Sequence, residues 1–87
     1  MGVRERVRQF ILENFYVADA NTVSDDTSLI AEGIVDSTGM LEVITFLETQ
    51  FGIAVTDAET TPANLESIGR IVAFVGRKQS ANGRRTG

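Results

Sequence analysis

Apolar residues recur at helical spacing in three stretches of this chain, and the segments between them are polar or broken. Val3, Val7, Phe10, Ile11 and Phe15 sit three or four positions apart, with Arg and Glu between them, which predicts a first helix over residues 3–16. The stretch VADANTVSDDTSLIAEGIVD then loses the period. It is rich in Asp, Asn, Ser and Thr and carries Gly33 near its end, so it reads as a long ordered loop. Loops beyond about 12–15 residues are uncommon unless they are functional or disordered. Leu29, Ile30, Ile34 and Val35 can pin this one to a core.

A second helix follows over Ser37–Phe51. Met40, Leu41, Ile44, Leu47 and Phe51 make its apolar stripe, Val43 and Phe46 widen it, and Glu42, Thr45, Glu48 and Thr49 form the polar side. Gly52 is the natural stop. Thr56-Asp57-Ala58-Glu59 fits a capping box, with Thr56 as the cap and Glu59 reaching back. Pro62 ends or restarts that turn, so the third helix is short. Asn64 is the candidate cap of the last helix, whose stripe is Leu65, Ile68, Ile71, Val72 and Val75, to about Lys78. Arg77 and Lys78 suit its negative end. No segment has a useful strand period and no repeat is present. The expected fold is all-α: a four-helix bundle of three longer helices and one short helix III, with a long loop between helices I and II. The domain covers residues 1–78, and the polar QSANGRRTG tail, 79–87, is expected to be disordered.

The chain has 87 residues, enough for one domain with a small core. A domain this size buries only about 60–65% of its unfolded surface. Cysteine and histidine are both absent, so disulfides, thiolate metal sites, zinc-histidine sites and every Ser-His or Cys-His pair are excluded. The only lysine, Lys78, lies far along the chain from any candidate serine nucleophile. No apolar run approaches the ~20 residues of a membrane span. The opening MGVRERVRQF has no apolar region of a secretory signal, and its sixth residue is not the Ser or Thr of a myristoylation signal. A cytoplasmic location is the expectation.

Net charge is −4, but it is unevenly placed. All eight basic residues lie near the ends, and residues 9–69 hold eleven acids with no base. Such a middle can be a solvated surface that aids solubility, or one that steers basic partners. It would repel the phosphates of nucleic acid. A calcium loop does not fit: the acids of DDTSLIAEGIVDS lack the required spacing.

Attention therefore falls on Asp36-Ser37. Both residue types cap helices, yet one helix needs one cap. If Asp36 caps, accepting from the amides of residues 38 and 39, Ser37 becomes the first helical residue with a spare hydroxyl. Gly39 keeps the neighbourhood uncrowded, at some cost in helix propensity. The helix N-terminus favours a phosphoryl group there. With no histidine to take its proton, Ser37 is no catalytic nucleophile, and a separate enzyme would have to modify it.

The run Gly33-Ile34-Val35-Asp36-Ser37, followed by Leu41-Glu42 and Phe51-Gly52-Ile53, resembles the acyl carrier protein family, which also includes peptidyl and D-alanyl carriers. The likeness covers about residues 3–78. It implies a non-catalytic carrier. A phosphopantetheinyl transferase would move 4′-phosphopantetheine from coenzyme A onto Ser37, and acyl or aminoacyl groups would ride on the arm's thiol as thioesters. Asp36 matches the family residue that positions the transferase's magnesium and coenzyme A; the chain itself would hold no metal. The second helix matches the family's recognition helix, so Thr38, Leu41, Glu42, Thr45 and Glu48 are the expected partner contacts. Partners would be the transferase, an acyl- or aminoacyl-AMP ligase or an acyltransferase, and downstream biosynthetic enzymes; a monomer suits a shuttle. Thr38 and Thr45 replace apolar residues common in fatty-acid carriers, and TPANLESIGRIVAFV resembles carriers loaded by a separate adenylating ligase. The apolar residues of the second helix read mostly as core; Val43, Phe46 and Leu47 could instead line an acyl cavity, with Phe46 filling it and favouring a short or polar cargo. The rival is an acidic helical interaction domain with no prosthetic group.

Overall fold

A computed structural model describes residues 2–85, with side chains as far as residue 80. Its α-helices are α1 (Val3–Asn14), α2 (Ser37–Phe51), α3 (Pro62–Leu65) and α4 (Ile68–Arg85), with 3₁₀ turns at Ala20–Thr22 and Asp57–Glu59. No strand occurs among the described residues. The all-helical bundle of three longer helices and one short one is the fold that the periodicity predicts.

The core is drawn from every helix. Val7 and Ile11 of α1, Val43 and Leu47 of α2, Leu65 of α3, and Ile68, Ile71, Phe74 and Val75 of α4 are all buried. Each such side chain is worth about 1.5–3 kcal/mol when removed from water, and that burial, more than propensity, holds the short helices in place. The stripe on α2 is rotated from the one expected. Leu41 is 64% exposed, whereas Val43 is fully buried. Two residues of helix turn a side chain through about 200°, so the two cannot share a face.

Helix α1 ends at Asn14, two residues earlier than the spacing suggests. The Asn14 side chain donates to the Phe10 carbonyl, and Phe15 turns extended (φ −129°, ψ 150°). The loop that follows is tied down. Val23, Leu29 and Val35 are buried and Ile34 is half-buried, but Ile30, expected to help pin the loop, is 50% exposed. Two backbone bonds fasten the loop to the start of α4: Leu29 N–H to the Glu66 carbonyl (2.8 Å) and Gly69 N–H to the Asp25 carbonyl (2.9 Å). From the other side, the Arg8 guanidinium donates to the carbonyls of Ala20 and Val23, and Arg4 pairs with Asp25 at 2.7 Å. Part of the basic N-terminal run thus serves the loop's acids and carbonyls.

The third-helix region follows its signals in part. The Thr56–Glu59 capping box is present, on a 3₁₀ turn, and Pro62 restarts the chain at the first turn of α3. Asn64 does not cap α4. It lies inside α3, where its amide donates to the Glu59 carbonyl and accepts from Arg77. Ser67 takes the capping role instead, its hydroxyl accepting from Arg70 N–H at 3.2 Å. Helix α4 also runs past Lys78, to Arg85. Residues 79–82 contain no proline or glycine to stop it, and Gln and Ala extend a helix at little cost. Of the tail expected to be disordered, residues 86–87 lie outside the described residues.

Candidate attachment site at the start of α2

Asp36 is the N-cap of α2. It is extended (φ −95°, ψ −174°), and its Oδ1 accepts from Gly39 N–H at 2.7 Å. Ser37 is consequently the first helical residue and is exposed. At the other end Gly52 adopts the left-handed conformation (φ 65°) and closes the helix onto the Glu48 carbonyl. The two boundaries are where local capping chemistry puts them, and they leave the Ser37 hydroxyl without a capping duty.

Gly39 has a different job from the one the sequence suggests. It is buried, and a Cβ there would lie 2.6 Å from the Phe15 ring and 3.2 Å from Asp36 Oδ1. The glycine therefore lets Phe15 pack against the first turn of α2 while Asp36 caps it. Phe15 also meets Phe10 edge-on, with ring centres 6.1 Å apart, and Phe10 stacks on Phe46 at 4.1 Å. These half-buried rings pack against the core and hold α1 against α2.

An open groove of about 420 Å³ begins at Ser37. Met40, Leu41 and Ile44 of α2 line it, together with Ile30 of the loop and Pro62 and Leu65 of α3. Ser28, Thr60, Thr61 and Glu66 supply its polar lining. Val43 and Leu47 are core residues, as the main reading of the sequence has it, and not the lining of an acyl cavity: both are fully buried, and Phe46 stacks on Phe10. The groove was not legible in the chain because its walls come from three segments brought together only by the fold.

The other residues singled out on α2 divide into two groups. Thr38, Leu41, Glu42 and Thr45 lie on one exposed face running away from Ser37, and Thr45 turns its hydroxyl back to the Leu41 carbonyl at 3.0 Å. Glu48 is not an exposed acid. It is half-buried, and its Oε2 accepts from Val55 N–H at 3.0 Å, fastening the segment after α2. Glu59 is likewise engaged. The Thr56 amide first, and then Lys78 at 3.0 Å, hold its carboxyl below its ordinary 4.5.

No group of three or more Asp or Glu among the described residues is placed to hold a metal ion. No helix of the described residues is long and apolar enough to cross a membrane. Searches of protein-family models and of curated proteins found no match to this chain.

Proposed function

We propose that this chain is a carrier protein that bears 4′-phosphopantetheine on Ser37 and presents acyl or aminoacyl thioesters to partner enzymes. The observation that carries the reading is the division of labour at the start of α2: Asp36 caps, and the adjoining serine hydroxyl stays exposed. Attachment forms a phosphodiester at Ser37 Oγ, with loss of the hydroxyl proton and release of the nucleotide part of coenzyme A. The chain has no histidine to take that proton, and the Asp36 carboxylate is engaged as the helix cap, so a base on the transferase would take it. The residues fit the group. The phosphate would sit at the amino end of a fifteen-residue helix, and the apolar groove runs from the same serine. Asp36 adjoins Ser37 in the chain and caps through Oδ1, so its second carboxylate oxygen would be the one to serve the transferase's magnesium.

Partner enzymes would meet the exposed face of Thr38, Leu41, Glu42 and Thr45. A single rim charge such as Glu42 adds at most about 1 kcal/mol and acts mainly on orientation and association rate. Weak docking suits a monomeric cytoplasmic shuttle that must leave a loading ligase or acyltransferase and reach a downstream enzyme. The test is intact mass after incubation with a broad-specificity phosphopantetheinyl transferase, coenzyme A and magnesium. One phosphopantetheine is expected on the parent and none on Ser37→Ala. No addition to the folded, unmodified parent, while a known carrier is loaded in parallel, would overturn the reading and favour an interaction domain that uses the same face.

A further inference from the structure

We infer that Glu66 sorts the cargo by charge, admitting ammonium-bearing or neutral groups to the groove and turning away groups that carry a carboxylate. The inference rests on the carrier reading and concerns what the arm can hold, not whether it is attached.

Glu66 is the one charged side chain among the described residues lining the groove, whose larger walls are aliphatic. Its position is built rather than accidental. The Glu66 carbonyl accepts from Leu29 N–H at 2.8 Å, and its Oε2 accepts from the Ser28 hydroxyl at 3.2 Å, so backbone and side chain both join the α3–α4 corner to the loop wall. The Ser28 bond restrains the carboxylate of this lining residue, whose side chain is still 43% exposed. A carboxylate oxygen can accept more than one hydrogen bond, so Oε2 keeps capacity for an incoming donor. Arg70 offsets part of the charge, but loosely. Its Nε is 3.8 Å from Glu66 Oε1, both side chains are about half exposed, and Arg70 does not line the groove. The other polar side chains of the lining are the hydroxyls of Ser28, Ser37, Thr60 and Thr61, which can donate or accept and do not oppose a cation; once Ser37 carries the arm, its phosphodiester adds a negative charge of the same sign as Glu66. A carboxylate on the cargo would therefore meet a like charge over aliphatic walls with no lysine or arginine in the lining to receive it. An ammonium would meet a partner.

Three amide-linked cargoes of similar size on a pantetheine arm test this: 4-aminobutanoyl, pentanoyl and succinyl, each installed on Ser37 and verified by mass. Amide shifts at Ile44 and Leu65 report groove occupancy. The 4-aminobutanoyl and pentanoyl forms are expected to shift both amides, with the succinyl form occupying the groove about two- to fivefold less, the range of a partly exposed ion pair. Glu66→Gln, which keeps an acceptor for Ser28, is expected to narrow the gap between succinyl and pentanoyl and reduce the advantage of the amine, the arm's own phosphodiester being common to all three forms. Ser28→Ala controls for loosening the wall and is expected to leave the charge order intact. Equal occupancy by all three cargoes, or a charge order unchanged in Glu66→Gln, would overturn the inference. If mass shows no loading at all, the carrier reading has failed. The same three amides are then titrated free into the unmodified chain, where the same charge order supports the groove preference and its absence overturns it.

Discussion

Two helical turns of this protein begin with nearly the same vocabulary and spend it differently. At Thr56–Glu59 the hydroxyl is the cap: Thr56 Oγ1 accepts from Glu59 N–H, and Glu59 reaches back to Thr56 N–H. Lys78 then pairs with the same carboxylate. Both the Thr56 hydroxyl and the Glu59 carboxylate there have a structural task. At Asp36–Ser37 the carboxylate caps and the hydroxyl is left over. A serine or threonine at a helix start is thus uninformative by itself. What separates a spare hydroxyl from a structural one is whether its neighbour has already satisfied the orphan amides.

That contrast can be broken by substitution. The largest effect is expected at Ser37→Ala, which abolishes phosphopantetheine addition while moving unfolding free energy by no more than about 0.5 kcal/mol, as for a surface change away from a cap. Mass and denaturant unfolding on one sample check both halves. Gly39→Ala is expected to cost about 1–2 kcal/mol, because displacing Phe15 and the capping oxygen outweighs the gain in helix propensity. A second change, Phe15→Leu, should recover most of it; additive losses in that double-mutant cycle would place the strain elsewhere.

Thr56→Ala and Asp36→Ala are each expected to lose about 1 kcal/mol as caps, but with different chemical consequences. In Asp36→Ala the helix start can pass to Ser37, whose hydroxyl then accepts a backbone amide and is loaded more slowly. Asp36→Asn keeps the cap and separates that effect from the loss of charge. Loading that is equally fast in all three Asp36 forms would mean that capping and attachment are independent.

The smallest effect concerns acid. Glu59 has a lowered pKa in the folded state, so its contribution is fully present above the unfolded value near 4.5 and is lost as pH falls through the lower folded value. Glu59→Gln should flatten the stability profile in that acidic window and leave the slope above it unchanged. Urea midpoints at a series of pH values measure the difference. An unchanged acid slope would assign it to other carboxylates.

What could be read from the chain follows the range of the interactions. Both ends of α2 were legible because Asp36 and Gly52 act on amides and carbonyls within four residues. The capping box was legible for the same reason. The start of α4 was not, since Asn64 and Ser67 both qualify as caps, and the choice depends on Arg77 and Glu59 taking up the Asn64 side chain. Nor was the facing of α2. Met40, Leu41, Val43, Ile44 and Leu47 make an apolar band too wide to have one centre, and it is packing against α4 and the loop that leaves Leu41 outside. Glu48 read as a docking acid until the chain after Gly52 folded back and brought it the Val55 amide. At the candidate site, the serine and its cap were local and visible, while the groove beside them was tertiary and hidden.

The bond between Leu29 and Glu66 gives the chain a topological property. It closes residues 29–66 into a ring that contains Ser37, all of α2 and α3. Loop-closure entropy grows slowly with length, about 0.6 kcal/mol for each doubling, so a ring of this size can tolerate a few added residues with little penalty. Fraying that starts at the first turn of α1 or the far end of α4 must cross the knot at Leu29 before it can unwind the serine's helix. The Leu29 amide is therefore expected to exchange with solvent more slowly than amides at the free ends of α1 and α4, which native-state hydrogen exchange would measure.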